Sequence, residues 1–158
     1  MSACIIPVAP EFQPPTASPN YAPILESATP DFGSLVTIPT MLPFQVNATD
    51  PNLDDSLYFR WFVDYPPNTA NTTHEIGDDG EVPHPVNGTA IKALIKVTVD
   101  CLEGLAPTPN SLHQLELLVA DRAFLPSPSI DQVLSPGFVV RANWTFQINC
   151  PSSPNPAQ

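Results

Sequence analysis

NATDPNLDDSLYFRWFVD, residues 47–64, is the stretch whose reading decides the fold. Its second half alternates: Leu57, Phe59, Trp61 and Val63 take one side, and Tyr58, Arg60, Phe62 and Asp64 the other. Apolar residues at every second position, enriched in aromatics, mark a half-buried β-strand. Its first half ends another strand, in which Leu42, Phe44, Val46 and Ala48 alternate with Pro43, Gln45, Asn47 and Thr49. Between the two lies an acidic turn, Asp50-Pro51-Asn52 followed by Asp54 and Asp55, whose side chains suit turn capping.

The same period recurs outward from this passage. Ile91, Ala93, Ile95, Val97 and Val99 alternate with Lys92, Leu94, Lys96, Thr98 and Asp100. Leu115, Leu117 and Val119 follow the rule, as do Phe138, Val140, Ala142, Trp144, Phe146 and Ile148. Pro23 to Ser27 and Leu35 to Ile38 supply an earlier strand or two, and no stretch offers a helical stripe. About seven short strands predict an all-β chain folded as an antiparallel sandwich. Residues 23–150 form that domain. Residues 1–22 are a Pro-rich tether, which at ~3.1 Å per residue over its last eighteen positions reaches on the order of 55 Å. Residues 151–158 are a Pro/Ser tail.

The quoted passage resembles the second-to-third strand region of bacterial Ig-like, PKD-like and cadherin-like modules, with an acidic turn before an inward Trp. Gln114 to Asp121 resembles their sixth strand, and Trp144 to Ile148 their last. The chain departs from the pattern in a long insert at 65–90 and a Pro-rich loop at 122–137. The resemblance implies an Ig-like β-sandwich. In its strand order Cys101 closes the fifth strand and Cys150 the seventh, so both fall at one end, as a disulfide requires. Such a bond would close a loop of about fifty residues and stabilise by roughly 4 kcal/mol. The alternative is two reduced, buried thiols.

Cys4 stands apart. Met1-Ser2-Ala3-Cys4 resembles a bacterial lipobox, in which small residues precede a lipidated Cys; the apolar leader would then lie upstream of Met1. The alternative is a free thiol in a tail. Ile5, in place of the Asp that retains lipoproteins in the inner membrane, points to the outer membrane. Five Lys+Arg against sixteen Asp+Glu give a formal charge of −11, which excludes nucleic acid as a partner because phosphate binding needs a basic patch. Twenty-two prolines against six glycines argue for stiff tails and rigid loops.

Chemistry-bearing residues are few. Asp50, Asp54 and Asp55 share one loop; cadherin-like modules use such loops for calcium, and the alternative is a solvated, self-capped turn. His74, Asp78, Asp79, Glu81 and His84 share the insert without a zinc-ligand spacing. His113 reads as a surface residue, and no hydrolase, metalloprotease or phosphate-binding motif is present, so neither catalysis nor a cofactor is expected. Sequons at Asn47, Asn71, Asn87 and Asn143 are glycan sites if the source is eukaryotic. Partner binding falls on Tyr58, Arg60 and Phe62, unless the insert covers them, and on the loop residues Phe124, Leu125, Ile130, Val133 and Leu134. The expectation is a non-enzymatic, extracytoplasmic lipoprotein. It would join protein subunits of a membrane or cell-surface complex and reach the membrane through its lipid anchor. The alternative is a calcium-assisted adhesion or carbohydrate-binding module.

Overall fold

A computed structural model describes residues 19–65, 74–77, 79–86, 89–100, 111–126 and 131–149. These form nine strands: β1 (Ile24–Thr29), β2 (Leu35–Ile38), β3 (Met41–Asp50), β4 (Leu57–Val63), β5 (His74–Glu75), β6 (Gly80–Val82), β7 (Ile91–Asp100), β8 (Leu112–Ala120) and β9 (Val139–Ile148). One sheet has the order β1-β3-β7; the other runs β2-β9-β8-β4-β5, with β6 also on β4. This is a β-sandwich, as the alternating pattern predicts, and its two-sheet arrangement is consistent with the Ig-like architecture that the resemblance implies. The described residues contain no helix long and apolar enough to cross a membrane.

Burial follows the sequence period. Ile91, Ala93, Ile95, Val97 and Val99 of β7 face inward while Lys92, Leu94, Lys96 and Thr98 face out. The centre of the core is aromatic. Trp61 of β4 stacks on Trp144 of β9 with ring centroids 5.7 Å apart, and Phe44 of β3 meets Trp144 edge-on at 5.5 Å. These contacts span both sheets, and fully buried aromatic pairs add about 0.5–1.5 kcal/mol beyond area burial. The Trp144 indole N–H donates to the Pro30 carbonyl at 2.9 Å, which ties the β1–β2 connection to the core.

Three expectations change. The pairing is not wholly antiparallel: β2 joins β9 in parallel, from Leu35↔Thr145 to Ile38↔Ile148. After β1 the chain crosses from one sheet to the other through a turn with Gly33 at φ 71°. The long insert at 65–90 contributes strands to the sandwich among its described residues. Its Ile76 is buried in the core, and β5 and β6 pair with β4. These strands are too short for a visible period. Finally, Phe62, expected to face outward, is buried: its ring meets Tyr65 at 5.4 Å, and Glu75 of the insert lies opposite it.

Gly80 carries the pairing of β6. A Cβ there would lie 1.9 Å from the Phe59 ring, its partner across the ladder. Gly80→Ala is therefore expected to destabilise the domain by about 1–3 kcal/mol through overpacking. Phe59→Leu in the same chain should recover part of that loss, read by denaturant unfolding.

Candidate metal centre

Strand direction brings three loops to one end of the sandwich. Asp50 ends β3, Asp55 precedes β4, Asp121 follows β8, and Asn20 precedes β1. One carboxylate oxygen from each of Asp50, Asp55 and Asp121 lies within 4.8 Å of the others. Asp50 and Asp121 are 0% and 1% exposed, so the cluster is no solvated acidic face.

Asp50 and Asp55 are each held through one oxygen and leave the other over, whereas both oxygens of Asp121 are taken. Asp50 Oδ1 accepts the Asn52 backbone N–H at 2.8 Å, the turn cap its Asp-Pro-Asn context suggests. Its Oδ2 is buried with no hydrogen-bond partner. Asp55 Oδ1 takes the Arg122 guanidinium at 2.6 Å, and its Oδ2 is likewise buried and unpartnered. Asp121 Oδ1 accepts the Phe138 N–H at 2.8 Å, and Oδ2 accepts from Asn20 Nδ2 at 2.7 Å. Asn20 also donates to the Pro136 carbonyl at 2.7 Å, while its own Oδ1 is buried without a partner. Asn52 receives the Tyr21 N–H at 2.9 Å. A cleft of about 410 Å³ opens beside these groups, lined by residues that include Asn20, Asp54, Asp55 and Arg122.

Three carboxylates and one guanidinium leave two negative charges uncompensated in a buried volume. Unpartnered buried polar atoms are rare because each costs the full desolvation of the group. The donors are all oxygens, carboxylate and amide, with neither His nor Cys among them. That set suits a hard divalent cation, calcium or magnesium, and not zinc. Burial, with the like charges of Asp55 and Asp121 adding to it, pushes the Asp50 carboxyl from 3.8 to about 6, against the opposing Asn52 hydrogen bond and the Arg122 charge.

The sequence named Asp50, Asp54 and Asp55. The structure keeps the first and third, places Asp54 exposed on the cleft wall, and adds Asp121 and Asn20. The insert does not gather as a metal set among its described residues: Asp79 pairs with Arg60 at 2.7 Å and Glu81 with the Tyr58 hydroxyl at 3.3 Å.

Of the expected partner-binding residues, Tyr58, Arg60 and Phe124 come together. The Arg60 guanidinium lies 4.8 Å from the Phe124 ring centroid, beside a shallow cleft of about 250 Å³. Phe124 and Val133 bridge across the described parts of the 122–137 loop, 122–126 and 131–137, which pair as an arm with Leu125 N–H on Gln132 O at 2.8 Å. Leu134 is exposed on that arm. Ile130, Asp78, Asn71, Asn87, Cys4, Cys101 and Cys150 lie outside the described residues. Asn47 and Asn143 are exposed on the outer sheet faces. His113, expected at the surface, is buried: its strand position turns it under the ring of Phe146, with centroids 5.4 Å apart.

No family model matches the sequence, and no curated protein matches it.

The raised Asp50 carboxyl fixes the sign of a pH effect. The folded state binds a proton more readily than the unfolded chain, so the contribution of Asp50 to stability is present below about pH 4 and lost as pH rises through 6. In chelator, the thermal midpoint of the native chain relative to Asp50→Asn is therefore expected to fall between those pH values. Cation should reverse the difference above pH 6.

Proposed function

We propose that this chain is an extracytoplasmic, Ig-like binding module whose loop end is organised by a divalent cation, and that the module is carried on a membrane-tethered Pro-rich segment. The buried Asp50–Asp55–Asp121 cluster with its unpartnered oxygens is the observation that carries the reading. The groups around the cation are the ones that fix the surrounding chain. Asp121 holds the base of the 122–137 arm through Phe138, Asn20 joins that arm at Pro136 to the segment before β1, and Asn52 ties the same segment to the β3–β4 turn. A cation here sets the pose of the arm that presents Phe124, Val133 and Leu134. The partner is a protein subunit of a membrane or cell-surface assembly, engaged through that arm and the adjoining Tyr58 and Arg60.

Titration calorimetry of the chelated protein is expected to show one calcium bound per chain. At a hundred times the dissociation constant, calcium should add about 2.7 kcal/mol to stability. Asp50→Asn keeps the turn cap and should lose the response. Identical midpoints in calcium and in chelator would refute the cation reading. The tether has a separate readout: the intact mass of the native protein should show cleavage before Cys4 with diacylglycerol and acyl chains attached, and an unmodified Met1 would rule the anchor out.

A further inference from the structure

At the other end of β4 and β8, away from the carboxylate cluster, three side chains form a second constellation. Asp64 follows β4, and Ser111 and His113 stand at the start of β8. His113 Nδ1 lies 2.7 Å from Asp64 Oδ2, and His113 Nε2 lies 2.7 Å from Ser111 Oγ. Asp64 and His113 are buried, at 4% and 7% exposure, while Ser111 is half-exposed. We propose that Ser111, His113 and Asp64 act as nucleophile, general base and positioning acid, and that Ser111 accepts the acyl group of a carboxylic ester.

The hydrogen-bond roles follow from the donors. A carboxylate only accepts, so Asp64 fixes the proton on His113 Nδ1 and leaves Nε2 as an acceptor. Among the described residues the Ser111 hydroxyl faces Nε2, and in the neutral imidazole it donates to it. That is the order needed to draw a proton from a serine as it attacks. The parts are held against drift. Asp64 Oδ1 accepts the Gln114 N–H at 3.0 Å, and the imidazole stacks on Phe146 with centroids 5.4 Å apart. Asp64 itself sits at φ 57°, a left-handed conformation that costs a non-glycine residue of order 1–3 kcal/mol and persists only where the surroundings impose it.

A purely structural tie would not need the serine. The ends of β4 and β8 are already joined by the Asp64 N–H on Gln114 O at 2.7 Å and by the Gln114 N–H on Asp64. Ser111 and His113 are two positions apart in one segment, so their bond links no additional element. What the bond does is aim the imidazole at a half-exposed hydroxyl.

The chemistry balances with water alone. Ser111 Oγ attacks the ester carbonyl carbon while His113 takes the hydroxyl proton. Collapse of the tetrahedral intermediate breaks the carbon–oxygen bond to the alcohol, which leaves with that proton. Water, deprotonated by His113, then cleaves the acyl-serine to a carboxylic acid and restores the hydroxyl. This activity is independent of the cation site and of the binding role proposed above.

A fluorophosphonate reagent tests the proposal on the full chain, because ordinary serines do not react with it. Phosphonylation also needs stabilisation of the developing oxyanion, so the reagent reads the complete arrangement. The expected result is one adduct per folded chain, mapped by mass spectrometry to Ser111, with fluoride released and no adduct in urea. His113→Gln and Asp64→Asn should slow labelling by about a thousandfold or more, and Ser111→Ala should abolish it in a chain that still unfolds cooperatively on heating. No adduct on the native chain, an adduct on another residue, or an unchanged rate in a folded His113→Gln or Asp64→Asn chain would overturn the proposal. The native-chain mapping decides even where a variant fails to fold.

Discussion

Everything in this sandwich depends on the face-to-face burial of its two sheets over Trp61, Trp144 and Phe44. The chain has little charge to cover a surface with, and its apolar side chains arrive at every second position. A strand with that pattern must find a second sheet to bury its inner face. Trp61 and Trp144 fill the space from β4 and β9, and Phe44 fills it from β3. The register of β4 against β8, from Tyr58↔Ala120 to Val63↔Leu115, follows from which residues must face these rings. A slip of one residue would turn Trp61 outward and Arg60 inward. The same register fixes Asp55 beside Asp121 at one end and Asp64 beside His113 at the other.

The polar ends therefore inherit precision from the apolar middle. Seven residues of β4 at ~3.3 Å each separate the two ends by on the order of 20 Å. Buried carboxylates are costly wherever they are placed, and this molecule buries them at both ends with different solutions. Asp64 spends its oxygens on an imidazole and a backbone N–H. Asp50 and Asp55 each leave one oxygen unspent, which is why one end has the chemistry of a cation site and the other that of a proton relay.

How far the sequence speaks is set by how local the signal is. The inner faces of β3, β4, β7, β8 and β9 were readable because period-2 alternation needs only neighbours along the chain. β5 and β6 were not: at two and three residues they carry no period, and their place comes from the backbone edge of β4 and from Gly80 yielding to the Phe59 ring. For Phe62 the sequence left two outcomes open for a related reason. Alternation says which side a residue takes but not whether that side is covered, and Tyr65 with the insert covers it. The carboxylate cluster was half legible. Asp50 and Asp55 share a loop, whereas Asp121 and Asn20 join them from positions distant in sequence, through strand order alone. Ser111, His113 and Asp64 carried no motif, since the aspartate lies about fifty residues from the other two and meets them only through the pairing of β4 with β8.

Charge gives the acidic composition a physical role. All three arginines are committed to carboxylates: Arg60 to Asp79, Arg122 to Asp55, and Arg141 to Glu116 and Asp131. The only two lysines, Lys92 and Lys96, both lie on the outer face of β7, in the sheet that contributes Asp50 alone to the cluster. Of the cations, only Arg122 reaches the carboxylate cluster, and it takes Asp55 Oδ1, leaving Asp55 Oδ2 and Asp50 Oδ2 unpartnered. A net charge of −11 over the whole chain adds a long-range field of the same sign, which concentrates small cations at the surface and repels polyanions. The same acidic balance favours a divalent cation where, among the described residues, buried carboxylate oxygens remain without a partner.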